Sequence, residues 1–178
     1  MGKIAFVYGA IAGSIVIGAI IAGFALGSDH GGQSLWFGYL TMILALSMIF
    51  LGVKRYRDRH LGGVIKFGPA FVLGLAIAAV AGVFYVIGWE GYLAATGHKF
   101  MAEYAAAILE AKKAAGVTGE ALQAEIAKLE EMKTNYANPL YRLPMTFIEI
   151  FPVGLVIALI SAAVLRNSNV LPARAAAK

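Results

Sequence analysis

The sequence predicts an all-α membrane protein with four transmembrane helices and an extracytoplasmic helical hairpin between the third and the fourth. Two observations predict this class. The 178 residues are 60% hydrophobic and only 14% charged, whereas a soluble domain carries about 25% charged residues. The apolar residues are also concentrated in four stretches, each close to the roughly 20 residues that a helix needs to cross a bilayer. These stretches are 4–26, 34–53, 67–89 and 145–165.

The first stretch has the length of a retained membrane helix, because the apolar region of a signal peptide usually spans only about 7–15 residues. It contains glycines at GxxxG spacing, Gly9 with Gly13 and Gly23 with Gly27. Small residues at this spacing let two helices approach closely. We expect this face to pack within the chain, and a homodimer seam is the alternative.

Lysine and arginine are distributed unevenly between the two sides of the membrane. One side carries the single acid Asp58 and nine basic residues, which are Lys3, Lys54, Arg55, Arg57, Arg59, Lys66, Arg166, Arg174 and Lys178. The other side carries Asp29 and the segment 97–139, which has five Lys and six Glu. Because loops rich in Lys and Arg stay in the cytoplasm, we expect cytoplasmic termini and a periplasmic hairpin.

The segment 54–66 is thus predicted to be a cytoplasmic basic loop, formed around Lys54, Arg55, Arg57, Arg59 and Lys66. Its charges set the topology and contact anionic headgroups. No nucleic-acid partner is needed to explain them, and we expect none. A lipid or nucleotide held near the first three of these residues is a less favoured alternative.

The segment 98–137 is predicted to form two amphipathic helices joined by a short turn. Gly116 is a good C-terminal stop for the first helix, and Thr118 is suited to cap the second. Apolar side chains recur along one face of each helix, at Phe100, Tyr104 and Ile108 and then at Leu122, Ile126, Leu129 and Tyr136. These stripes are expected to pack on each other, to lie on the bilayer or to meet a partner.

Glu149 is the one charged residue inside the four apolar stretches, where an unpaired charge costs at least a few kcal/mol. Arg142 precedes it on the same helix face, and Glu90 follows at the same end of the third helix. We expect these three side chains to meet, either as a polar clamp between two helices or as a proton, ion or ligand site. Pro152 cannot donate a backbone hydrogen bond, which predicts a helix kink, whereas Pro144 is assigned to the helix start.

Aromatic residues near the same helix ends are predicted to form an interfacial belt, which consists of Trp36, Tyr39, Tyr85, Trp89, Tyr92 and Tyr141. The sequence has no cysteine and no metal-binding pair of histidines, P-loop, dinucleotide fingerprint or nucleophile motif. We therefore expect no enzymatic activity, no cofactor and no metal site.

The order of several motifs resembles a known bacterial family. The motifs are "YGAIAGSIVIG", "GVKRYRD", "GGVIKFGPAFVLGL", "YVIGWE" and "TFIEIFPVG", and they extend from Met1 to about Arg166. The chain is similar in this respect to the family called domain of unknown function 4199. The resemblance implies a small inner-membrane protein with four helices, and it implies no catalytic residues.

Together these observations predict one transmembrane domain, 1–166, followed by a loose cytoplasmic tail, 167–178. The favoured function is a non-enzymatic interaction or accessory subunit of the bacterial inner membrane, with a membrane protein or a second copy of the chain as its partner. The alternative is a small proton-linked carrier or permease built around Glu90, Arg142 and Glu149.

Overall fold

The computed structural model describes residues 1–25 and 35–173, and all regular secondary structure in these residues is helical. The predictions for Gly27, Asp29, Arg174 and Lys178 concern residues outside these ranges. Seven helices follow one another along the described chain: α1 (Gly2–Ala25), α2 (Leu35–Leu46), α3 (Met48–His60), α4 (Phe67–Ala95), α5 (Phe100–Ala114), α6 (Gly119–Ala137) and α7 (Pro139–Leu165).

Four helical segments of the described chain are long and apolar enough to cross a membrane, which confirms the predicted all-helical class and the number of candidate spans. They are Gly2–Ala25, Gly38–His60, Phe67–Ala95 and Pro139–Leu165. The last one begins earlier than the sequence predicted. The Asn138 side chain accepts a hydrogen bond from the Leu140 amide at 3.0 Å, and Pro139 occupies the first helical position. Pro144 therefore lies inside α7 and not at its start.

Ser47 separates α2 from α3 within the second span. Its hydroxyl donates to the carbonyl of Leu44 at 2.6 Å, a type of bond that often bends helices. α3 then continues to His60, beyond the predicted end at residue 53. No Gly or Pro interrupts this basic stretch, and Lys54 pairs with Asp58 one turn later, so most of the segment predicted as a loop is helical.

α4 lies at the centre of the bundle and packs against α1 on one side and α7 on the other. Glycines make the contact with α1 close. A Cβ atom built on Gly13 would lie 2.3 Å from the Ala81 carbonyl oxygen, and one built on Gly9 would lie 2.7 Å from the Ile77 carbonyl oxygen. The expected packing within the chain is therefore confirmed for Gly9 and Gly13, which α4 covers.

The contact between α4 and α7 also depends on small residues. Gly154 of α7 lies against Ala78, and Gly74 of α4 lies against Ala158. Each glycine leaves room for a methyl group of the facing helix, so the two helices approach closely along their middle sections.

α5 and α6 form a pair of packed helices joined by a turn at Gly116, whose positive φ of 83° ends α5 as the sequence predicted. Thr118 occupies the N-cap position of α6, but its hydroxyl makes no capping hydrogen bond. Lys112 of α5 lies 3.8 Å from Glu125 of α6. Large apolar side chains of residues 96–138 are all buried or half-buried, because the two stripes face each other and the end of α4.

Arg57 is buried at the end of the bundle opposite the α5–α6 pair, and its exposed fraction is 0%. Its guanidinium donates to the carbonyl oxygens of Val170, at 2.9 Å, and Leu171. A longer bond of 3.4 Å reaches the carbonyl of Leu165, and Nε donates to Asp58 at 2.7 Å. The last carbonyls of a helix have no partner within the helix. Arg57 therefore caps α7 and holds the beginning of the tail.

We expect Gly13→Ala to lower the free energy of unfolding by about 1–3 kcal/mol, because the new methyl group would meet backbone of α4. The measurement is thermal unfolding of the purified protein in lipid nanodiscs. Gly18→Ala is the matched control, since nothing lies within 4 Å of a Cβ at that position. Equal melting temperatures for the two variants would contradict the close packing of α1 on α4.

We expect Arg57→Gln to lower the free energy of unfolding by about 3 kcal/mol, because it removes a buried charge that faces Asp58 and several carbonyls. Arg59→Gln is the control, because Arg59 belongs to the same helix end but is exposed. Limited proteolysis near residue 170 measures the release of the tail. An Arg57 variant that is cleaved no faster than the Arg59 variant would refute the capping role.

Candidate functional site

A bidentate ion pair joins α4 to α7 at the end of the bundle that carries the α5–α6 pair. Nε and Nη2 of Arg142 donate to the two carboxylate oxygens of Glu90, each at 2.7 Å. The two parallel bonds fix the planar guanidinium against the carboxylate, which makes this the strongest type of charged hydrogen bond in proteins. Arg142 is only 5% exposed. The pair therefore clamps the two helices in one relative position.

The clamp also holds the end of α6. The remaining guanidinium nitrogen of Arg142, Nη1, donates to the carbonyl of Tyr136 at 3.0 Å. Arg142 lies in the first turn of α7, immediately after the Asn138 cap. This placement lets a single side chain of α7 reach both the preceding helix and the facing helix.

Tyr136 adds a second connection between α6 and α4. Its hydroxyl accepts a hydrogen bond from the Trp89 indole N–H at 2.6 Å, and its ring lies 5.6 Å from the Arg142 guanidinium carbon, within cation–π range. Burial raises the pKa of the Tyr136 hydroxyl above its ordinary value of 10.0, although Trp89 and Arg142 act in the opposite direction. The hydroxyl is therefore protonated at neutral pH.

Aromatic rings surround this connection and extend it to α1 and α5. The ring of Trp89 meets that of Phe100 edge-on, with centroids 4.8 Å apart, and stacks on Tyr92 at 5.4 Å. Phe24 at the end of α1 lies 5.6 Å from Tyr92. Such pairs add to the stability that burial of the rings alone provides. The α5–α6 pair is thus fastened to three membrane helices.

Glu149 lies apart from the clamp. Its carboxylate Oε2 accepts a hydrogen bond from the Tyr85 hydroxyl at 3.1 Å. Tyr85 is 2% exposed and belongs to the core of the bundle, whereas Glu149 belongs to the exposed residues of α7. The carboxylate therefore reaches into the bundle for one hydrogen bond, while the rest of the residue remains on the surface.

The structure brings together only part of the predicted trio. Arg142 pairs with Glu90, and Glu149 pairs with Tyr85, which the sequence interpretation had placed in the interfacial belt. Seven residues along α7 correspond to about 10 Å, which is longer than an arginine side chain. Glu90 lies opposite Arg142 on the facing helix, and it takes the guanidinium for this reason. α7 continues through Pro152 as one helix, and the kink at this residue stays a prediction.

The basic residues predicted at 54–66 do not act as one group. Arg57 is buried and Lys54 is paired with Asp58, as described above. Arg55, Arg59 and Lys66 are exposed and remain accessible to lipid headgroups. Sequence reasoning missed the separate role of Arg57, although the unpaired carbonyls at the end of a buried helix were a usable signal for a donor nearby.

An apolar groove of about 380 Å³ lies on the other flank of α7, between α4 and α7. It is lined by Val83, Val86, Ile87, Pro139, Leu140, Leu143, Pro144 and Phe147. Phe147 and Glu149 are two residues apart, which places them on roughly opposite sides of the helix. The groove and the carboxylate are therefore separate features.

A double-mutant cycle on Arg142 and Glu90 should give a coupling energy of about 1–3 kcal/mol, because the two side chains contact each other directly. Glutamine replaces each residue, and the free energy of unfolding is measured for the single and double variants. The same cycle on Arg142 and Glu149 is the matched comparison, and its coupling should be below about 0.5 kcal/mol. A larger coupling energy in the second cycle would show that Arg142 interacts mainly with Glu149, and it would contradict the clamp with Glu90.

The comparison with protein families places this chain in a known family. A family model with the description protein of unknown function (DUF4199) matches residues 4–167. Comparisons with curated proteins and with solved structures gave no significant match. The match covers the four membrane spans, the clamp and Glu149, and the chain belongs to the DUF4199 family.

Proposed function

We propose that this protein is a non-enzymatic interaction protein of the bacterial inner membrane that serves as an accessory subunit for another membrane protein. Its four spans anchor it in the bilayer with both termini in the cytoplasm. The α5–α6 pair then lies in the periplasm and presents a surface to the partner. The observation that carries this proposal is the rigid attachment of the α5–α6 pair to the bundle.

Rigid attachment supports an interaction role because a fixed surface binds without first being ordered. Arg142 holds the end of α6 through the Tyr136 carbonyl, and Trp89 holds the Tyr136 hydroxyl. The aromatic rings around Trp89 add contacts to α5 and α1. The polar side chains of this site, which a catalytic site would need for its reaction, here hold the helices together.

The surface of the α5–α6 pair is charged and mixed in sign. Residues 97–139 contain five Lys and six Glu, and the large apolar side chains of residues 96–138 are buried or half-buried. Such a surface favours a polar partner surface with charges of both signs over a lipid surface. The basic residues at the opposite end support the orientation in which that end is cytoplasmic.

The alternative function, a small proton-linked carrier, is favoured by one observation. Glu149 is a carboxylate within a membrane span and bonds to the buried hydroxyl of Tyr85, and ionisable residues at such positions commonly serve transport. Of the predicted carrier site, Glu90 and Arg142 are already engaged with each other. The carrier hypothesis therefore depends on Glu149 and Tyr85 alone.

Native mass spectrometry of the tagged protein, extracted from its own membrane into lipid nanodiscs, tests the proposal. We expect a second polypeptide at fixed stoichiometry, and a variant with reversed charges on the exposed face of α6 should lose it. Glu130→Lys with Glu131→Lys is such a variant, because both residues are exposed and outside the spans. Recovery of the chain alone from native membranes would refute an accessory role.

Proton uptake by proteoliposomes that contain the purified chain and an internal pH-sensitive dye tests the alternative. An accessory subunit should give the same trace as empty liposomes, and Glu149→Gln should not alter it. Proton flux that Glu149→Gln abolishes, with an unchanged melting temperature, would establish the carrier function in its place.

A further inference from the structure

Glu149 belongs to a stripe of exposed residues that runs along α7. The stripe has alternating spacings of four and three residues, the repeat with which membrane and soluble helices pack side by side. Met145, Val156 and Leu159 in this stripe are 50%, 53% and 41% exposed. The complete stripe consists of Met145, Glu149, Pro152, Val156, Leu159 and Ala163, all of which are exposed.

Among the described residues, no cation compensates the charge of Glu149. The basic residues of α3, among them Arg57, lie at the opposite end of the bundle, near the last turn of α7. α1, α2, α4 and α7 contain only two basic residues, Lys3 and Arg142. Arg142 is committed to both oxygens of Glu90. Lys3 lies in the first turn of α1, which packs near α3 at the other end of the bundle. The neutral Tyr85 hydroxyl supplies a hydrogen bond to one carboxylate oxygen and no positive charge.

Lipid is an unfavourable environment for the carboxylate of Glu149. Glu149 lies ten residues after the start of α7, or roughly 15 Å along the helix axis, so it is within the apolar part of a bilayer about 30 Å thick. Polar residues at this depth almost always face another protein segment or a water-filled cavity. An apolar stripe with one acid in it is the expected surface for a helix that carries the opposite charge.

We infer that the α7 stripe binds a transmembrane helix of the partner, and that a Lys or Arg of that helix pairs with Glu149. This inference rests on the proposed accessory function and specifies the contact within the membrane. The Tyr85 hydroxyl holds the carboxylate in place, and its free oxygen accepts from the partner's cation. Apolar side chains of the partner pack on Met145 and Val156 on either side.

A second copy of this chain does not fit the stripe. A symmetric contact along α7 would bring two Glu149 carboxylates together, and like charges that face each other in a low dielectric repel strongly. The Arg142 of the second copy would be held by its own Glu90. The chemistry of the stripe therefore favours a different protein whose membrane helix is basic at this depth.

The test uses the full chain in phosphatidylcholine vesicles and a synthetic Leu/Ala transmembrane peptide as the probe. The peptide carries one Lys about a third of the way along its length, and otherwise identical peptides carry Leu or Glu there. Because the chain has no cysteine, Ser168→Cys provides a single site for a fluorescence donor at an exposed position. Energy transfer to an acceptor on the peptide measures association.

We expect the Lys peptide to bind about tenfold more tightly than the Leu peptide, in the range that polar contacts between membrane helices provide. Glu149→Gln should reduce the difference below about twofold, and Glu149→Asp should retain most of it. Glu110→Gln removes the same charge at an exposed position of α5, outside the four spans, and should change nothing. Equal binding of the Lys and Leu peptides, or equal gains for the Lys and Glu peptides, would overturn the inference.

The experiments distinguish a failure of the stripe contact from a failure of the proposed accessory function. A chain that co-purifies with a partner from native membranes but does not prefer the Lys peptide remains an accessory subunit and binds its partner elsewhere. A Glu149→Gln chain that retains the native partner at full stoichiometry would likewise overturn the stripe contact and leave the accessory function in place.

Discussion

Close packing of α4 against α1 and α7 is the constraint on which the rest of the structure depends. Lipid tails are as apolar as the helices, so the hydrophobic effect gives membrane helices little reason to associate. Gly9 and Gly13 let α1 approach the backbone of α4, and Gly154 and Gly74 do the same at the contact with α7. The polar contacts between α4 and α7, Glu90 with Arg142 and Tyr85 with Glu149, require this short distance.

Polar bonds then determine how the closely packed helices are placed along one another. Arg142 and Glu90 fix the position of α7 along α4 at one end, and Arg57 holds the carbonyl of Leu165, the last residue of α7, at the other. Each arginine uses several donors at once, and each also holds an adjoining segment, either α6 or the tail. Small residues thus decide which helices touch, and two arginines decide their register.

The parts that were predicted from the sequence are those determined by a single helix. Length and composition predicted the four spans, Gly116 predicted the end of α5, and GxxxG spacing predicted a close helix contact. The pairing of Arg142 could not be predicted in the same way. Arg142 and Glu149 share one face of α7. Only the position of α4 along α7 shows that Glu90 is nearer to Arg142 than Glu149 is.

Two further residues show the same limit of predicting contacts from the pattern of a single helix. Tyr85 resembles a belt residue by its position near a helix end, yet it is buried because its face of α4 points into the bundle. Arg57 is one of several basic residues in a row, and the sequence does not distinguish it from exposed Arg55 and Arg59. Besides Asp58, its partners are backbone carbonyls more than a hundred residues away. The end of α7 indicates that some donor is needed there, but the side-chain pattern does not identify Arg57 as that donor.

α7 is held by arginine contacts at both of its ends. Arg142 fixes its beginning and Arg57 fixes its last turn, while Pro152 removes a backbone hydrogen bond near the middle. Pro144 lies inside α7 as well, so two positions between the held ends lack a backbone hydrogen bond. A change in the distance between those ends is expected to bend the helix at one of them. Glu149 lies between the two prolines, so bending at either would shift its carboxylate relative to Tyr85.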